Sequence, residues 1–125
     1  MAKTATTINQ SEALMEAGIP ASAADMKYVI SHDGCYELCM ADAANYWPGI
    51  EVPAYSLSAL MDLLPKTQTV NGHMCGLQLF SPVYGLEPQV DKDKYVLGYS
   101  AMLCSIGDNL LDAAFGLLMK INKSD

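Results

Sequence analysis

A chain of 125 residues, 51% apolar and 17% charged, is long enough to bury somewhat under about 70% of its unfolded surface around one core, and too apolar to be disordered. Fourteen acidic residues against seven lysines give a net charge of −7, and there is no arginine. Without the side chain that grips phosphates and guanine edges bidentately, DNA, RNA and anionic lipid are poor candidates as partners.

Met1–Thr7 carries one lysine and no apolar stretch. It reads as a flexible leader over residues 1–7 and not as a secretion signal, with a single α+β domain over 8–125. No segment approaches the roughly 18 uninterrupted apolar residues of a membrane span, so a soluble, cytoplasmic protein is expected.

Asn9 or Thr7 opens the first helix, with Glu12 three residues after Asn9 as in a capping box. Gly18 closes it in the left-handed position, Ile19 folds back on Leu14, and Pro20 stops it. Ser22–Asp25 repeats the Ser-x-x-acid pattern and suggests one further helical turn. From Met26 the period becomes two: Met26, Tyr28 and Ile30 alternate with Lys27, Val29 and Ser31, and after the turn Asp33-Gly34, Tyr36, Leu38 and Met40 alternate with Cys35, Glu37 and Cys39. This is a β-hairpin. The stretch from Ala41 to Val52, with Asn45, Pro48 and Gly49, has no period and reads as a loop.

Pro53–Pro65 is the most strongly specified segment. Ser56 is a good N-cap, Leu57, Leu60, Met61 and Leu64 fall at i, i+3, i+4 and i+7, and Pro65 ends the helix. Such a short helix is held by packing. Thr67–Val70 and His73–Ser81 flank the turn Asn71-Gly72 as a second hairpin. Tyr95–Cys104, ten nearly apolar residues, reads as one central strand. Asp108 or Asn109 caps a last helix in which Leu110, Ala114, Leu117, Leu118 and Ile121 form the apolar stripe. There Lys120 and Lys123 favour the helix dipole, and Gly116 implies close packing. The order α-β-β-α-β-β-β-α predicts a two-layer α+β sandwich, an antiparallel sheet of about four to five strands with helices on one face.

Chemistry-bearing residues do not form a recognisable constellation. On a strand, Cys35 and Cys39 would stand roughly 13 Å apart at about 3.3 Å per residue, too far to share one tetrahedral ion with His32. No metal and no cofactor are expected. There is no nucleophile elbow, zinc-protease motif or phosphate loop. Five acids and no base lie between Lys27 and Lys66, which predicts an electronegative surface. Within it the loop bearing Asp42, Tyr46, Trp47 and Glu51 is the candidate binding site, since aromatic side chains on loops anchor interfaces. The rival reading folds Trp47 back as a lid over the core.

The Pro53–Pro65 helix, together with Gly18-Ile19-Pro20, Ala24-Asp25-Met26 and the Asn109–Phe115 opening of the last helix, resembles uncharacterised small proteins carried by phages and mobile elements of gut bacteria. The resemblance lies chiefly in helices. It implies a phage or prophage origin and brings no activity, cofactor or catalytic residue. The expectation is therefore a small acidic interaction module, binding a protein partner or itself as a homodimer, without catalysis. Two alternatives stand beside it: a small enzyme using a cysteine or histidine (Cys35, Cys39, His32, His73 or Cys75) with a carboxylate near the Trp47 loop, and a virion structural subunit.

Overall fold

The computed structural model describes residues 4–31, 33–42, 49–80, 94–100 and 102–123. Helix α1 (Ile8–Glu16) opens on Thr7, whose side chain accepts from Gln10 N while the Gln10 side chain accepts from Thr7 N. The capping box is thus Thr7–Gln10 and not Asn9–Glu12. At its other end Gly18 has φ +98°, Gly18 N donates to Met15 O and Ile19 N to Leu14 O, each at 3.0 Å. That is the Schellman pairing, and it brings Ile19 into the same core cluster as Leu14. A single 3₁₀ turn (Ala21–Ala23) follows.

Strands β1 (Met26–Ser31) and β2 (Tyr36–Met40) form the expected hairpin, with Tyr28 opposite Leu38. A third strand, β3 (Gly49–Ala54), pairs antiparallel with the other side of β1, giving the order β2-β1-β3. The end of the expected loop is therefore a strand. Its alternation, Ile50-Glu51-Val52-Pro53-Ala54, is obscured in sequence by Pro48 and Pro53, and Pro53 is tolerated because among the described residues β3 is an edge strand that needs donors on one side only.

Helix α2 (Leu57–Leu63) has the boundaries its signals require: Ser56 Oγ accepts from Ala59 N at 3.2 Å, and Leu64 before Pro65 is already extended at ψ 129°. A second hairpin, β4 (Thr67–Val70) and β5 (His73–Gly76), turns through Asn71 and Gly72 at φ +52° and +81°, the twisted turn that favours Asn-Gly. The expected strand His73–Ser81 breaks at Leu77, and β6 (Gln78–Phe80) joins a different sheet with β7 (Tyr95–Ser100) and β8 (Leu103–Gly107). The apolar run Tyr95–Cys104 is thus a hairpin and not one strand. Ser100 Oγ accepts from Met102 N at 3.1 Å as the chain reverses. Helix α3 (Leu110–Lys123) starts on Asn109, whose Oδ1 takes Asp112 N at 2.8 Å, and packs on β7 and β8.

The fold is α+β, but the described strands make three antiparallel sheets of three, two and three strands instead of one sheet of four to five. The core lies among α2, α3 and β7, built on Leu60, Leu117, Leu118, Leu97, Tyr99 and the fully buried Tyr55, with Leu14 joining from α1. The ordered structure also begins before residue 8. Ala5 and Thr6, expected within a flexible leader, are buried: Thr6 N donates to Tyr55 O at 2.9 Å, Tyr55 N donates to Thr6 Oγ1 at 3.1 Å, and Thr6 Oγ1 shares a 2.8 Å hydrogen bond with Ser11 Oγ.

Candidate functional site

In antiparallel pairs, opposed residues share a face and alternate residues along a strand return to it. On the β2-β1-β3 sheet this puts Met26, Tyr28 and Ile30 beside Tyr36, Leu38 and Met40 on one flank and Ile50, Val52 and Ala54 on the other. The face they make is wholly apolar. Lys27, Val29, Glu37, Cys39, Glu51 and Pro53 make the opposite face.

None of the nine joins the main core cluster around Leu60, Leu117 and Tyr99. Ala54 is buried and five others are half-buried, but Tyr36, Met40 and Ile50 are 63%, 56% and 68% exposed. The third sheet differs: there Leu97 and Tyr99 are buried in the core. At one end of the apolar face, residues just before and at the start of α1 close over it. Tyr28 and Tyr36 meet edge to face, ring centroids 5.7 Å apart at 74°, and with Thr7, Ile8 and Asn9 they wall a cleft of about 250 Å3. Tyr28 Oη donates to Thr6 O at 2.8 Å. Burial, and secondarily the neighbouring Tyr36, raises the Tyr28 phenol above its ordinary value.

The surroundings of this face are acidic. Asp33 lies in the β1–β2 turn, where its carboxylate accepts from Cys35 N at 3.2 Å. Glu37 is exposed on β2, and Asp42 is exposed in the turn that follows Met40. Lys27, the one base of the sheet, reaches Glu51 Oε1 and Oε2 at 3.1 and 3.3 Å across the opposite face.

Comparison with family models, curated proteins and solved structures gives no match.

Of the residues expected to bind, Asp42 sits at the Met40 end of the apolar face, and Glu51 sits on β3 with its carboxylate on the polar side held by Lys27. Tyr46 and Trp47 lie outside the described residues, as does His32. Cys39 falls on the polar side of the first sheet and Cys35 is exposed just before β2, whereas His73 and Cys75 belong to the β4–β5 hairpin. Among the described residues no group of three or more His, Cys, Asp or Glu is arranged to hold a metal ion.

A second cleft, of about 280 Å3, is lined by Ala23, Asp25, Ser58, Ala59, Asp62 and Leu63. Its Asp25 carboxylate is committed to the start of α2, accepting from Ser56 N at 3.0 Å and from Ser56 Oγ. It braces the cap and is not poised for chemistry. Among the described residues neither cleft is lined by a cysteine or histidine.

The feature that sequence reasoning missed is the apolar face as a whole. Two of its three rows are visible in the alternations Met26-x-Tyr28-x-Ile30 and Tyr36-x-Leu38-x-Met40. The signal is that neither strand's apolar residues are matched by an element whose stripe is left over to cover them.

Proposed function

We propose that this chain is a non-catalytic interaction module that binds a protein through the apolar face of the β2-β1-β3 sheet. One observation carries the proposal: nine apolar residues from three strands share a face, none of them joins the main core cluster, and Tyr36, Met40 and Ile50 are more than half exposed. Burying an exposed side chain such as Ile50 or Met40 contributes about 1.5–3 kcal/mol, so the free protein forgoes stabilisation that an interface would recover.

Size sets the kind of interface. Three strands about 4.8 Å apart, each giving residues at about 3.3 Å, make a face on the order of 250 Å2. A standard interface takes about 800 Å2 from each partner. The face is thus the apolar centre of a contact whose rim is polar, as in non-obligate complexes. The acidic residues around it, Asp33, Glu37 and Asp42, are the proposed rim. The resemblance of the helices to small phage and mobile-element proteins suits a cytoplasmic role in modifying host or phage machinery.

The test is affinity capture from a host-cell lysate with wild-type protein and with the Met40→Thr/Ile50→Thr variant, read by mass spectrometry. A partner retained by wild type and reduced more than about tenfold with the variant is expected, since two interfacial side chains are lost. Equal retention would remove the sheet face from the proposal.

A further inference from the structure

Resting on that reading, we infer that the partner is an extended basic amphipathic segment of another protein, alternating apolar and Lys/Arg residues, that adds to the sheet along the outer edge of β2. Among the described residues β2 is an edge strand with no strand on its outer side. Edges in stable proteins are commonly blunted by lysine, proline or a bulge. The other edge of this sheet, β3, has Pro53. By contrast β2, Tyr36-Glu37-Leu38-Cys39-Met40, has none of these and pairs with β1 in unbroken register. It keeps a row of backbone donors and acceptors suited to strand addition.

The side chains of β2 then specify the added strand. Its alternate residues lie beside Tyr36, Leu38 and Met40 and extend the apolar face; those between them lie on the polar side next to Glu37. Asp33 precedes β2 and Asp42 follows it, and no base occurs between Lys27 and Lys66. An incoming strand therefore meets a carboxylate on its polar side and one at each end, and Lys or Arg at those positions complements all three.

The same charges disfavour a second copy. Antiparallel addition of β2 to its own twin brings the Asp33 end of one chain to the Asp42 end of the other, on molecules that each carry −7, and like charges across strands are destabilising. Self-association would thus strengthen as salt is added, whereas the inferred complex weakens.

The experiment uses the full chain and two fluorescein-labelled peptides, Lys-Val-Lys-Ile-Lys-Val-Lys and its counterpart with Glu for every Lys, followed by fluorescence anisotropy at low and high salt. The basic peptide binds, the acidic one does not, and added salt weakens the complex. Glu37→Gln lowers affinity by about fivefold, the upper range for a cross-strand ion pair, and Glu37→Lys shifts preference toward the acidic peptide. A basic peptide N-methylated at alternate backbone nitrogens loses binding if those nitrogens face β2; one of the two alternations must do so. Circular dichroism of the Glu37 variants, altered at an exposed site, checks that the fold is retained.

Failure of the basic peptide to bind, or equal binding of both peptides, overturns the inference. If capture from lysate still depends on Met40 and Ile50, the interaction-module reading survives that failure. A dimer in sedimentation velocity that strengthens with salt and is lost in Met40→Thr/Ile50→Thr would make a second copy the occupant and overturn the inference as well. Loss of neither capture nor association in that variant removes both readings.

Discussion

Tyr55 and Tyr99 bury their rings completely and still satisfy their hydroxyls, which donate to Pro20 O at 3.1 Å and Pro65 O at 2.6 Å. Each carbonyl belongs to a proline that ends or interrupts a helix, so the phenols pin the two places where the chain changes direction. Burial raises both phenols above the ordinary 10.0. Between pH 10.0 and the raised native value, the folded chain keeps protons that the unfolded chain releases, and stability falls as pH rises. Their contribution is complete below pH 10.0 and is lost as pH climbs through the native value. Tyr99→Phe is expected to flatten this alkaline loss, measured by denaturant unfolding at a series of pH values, and to cost about 1 kcal/mol at neutral pH through the unpaired Pro65 carbonyl. An unchanged alkaline slope would show that Tyr99 does not contribute to it. In sequence Tyr55 is only a residue of the Pro53–Pro65 segment and Tyr99 one of the Tyr95–Cys104 run, because a long-range hydroxyl partner has no local signature. Lys120 is a similar case: beside the α3 dipole it is well placed in sequence, yet its ammonium donates to Cys104 O on β8.

Elements whose ends are written in local chemistry were legible. Gly18 and Ile19 close α1, Ser56 and Pro65 bound α2, and Asn71-Gly72 turns β4 into β5, because caps and tight turns are decided by residues a few positions apart. Elements defined by distant partners were not. β3 hides behind Pro53, and the division of Tyr95–Cys104 into β7 and β8 depends on Gly98 facing Cys104 across the hairpin. Gly116 joins the two levels. A Cβ built there would overlap Ser105 Oγ, which is buried beneath α3. Gly116→Ala therefore sets a helix-propensity gain of about 1 kcal/mol against overpacking of about 1–3 kcal/mol, and net destabilisation is expected. Adding Ser105→Ala should recover most of it in a double-mutant cycle read by chemical denaturation. Additive losses would show that the two sites do not touch.

At the scale of the molecule, the chain divides its apolar residues between two uses. Those of α2, α3 and β7 build the core around Leu60, Leu117 and Tyr99, while those of β1, β2 and β3 line a face at the periphery. A single sheet of four to five strands would have turned both sets inward, and that is why sequence periodicity, which reports apolar alternation but not what covers it, suggested such a sheet. The same limit hid the candidate site: Asp42 and Glu51 were drawn from charge, while the face they flank is made by pairing. Among the described residues no helix is long and apolar enough to cross a membrane.

The central claim is that the exposed part of the β2-β1-β3 face, which includes Met40 and Ile50, is spare in the free protein, and chemical denaturation of Met40→Thr/Ile50→Thr tests it directly. Threonine is a β-branched residue that favours strands, and both sites are more than half exposed, so stability within about 1 kcal/mol of wild type is predicted. A loss of about 4 kcal/mol or more, the scale of two buried aliphatic truncations, would show that the face is already buried within the chain and would contradict the account.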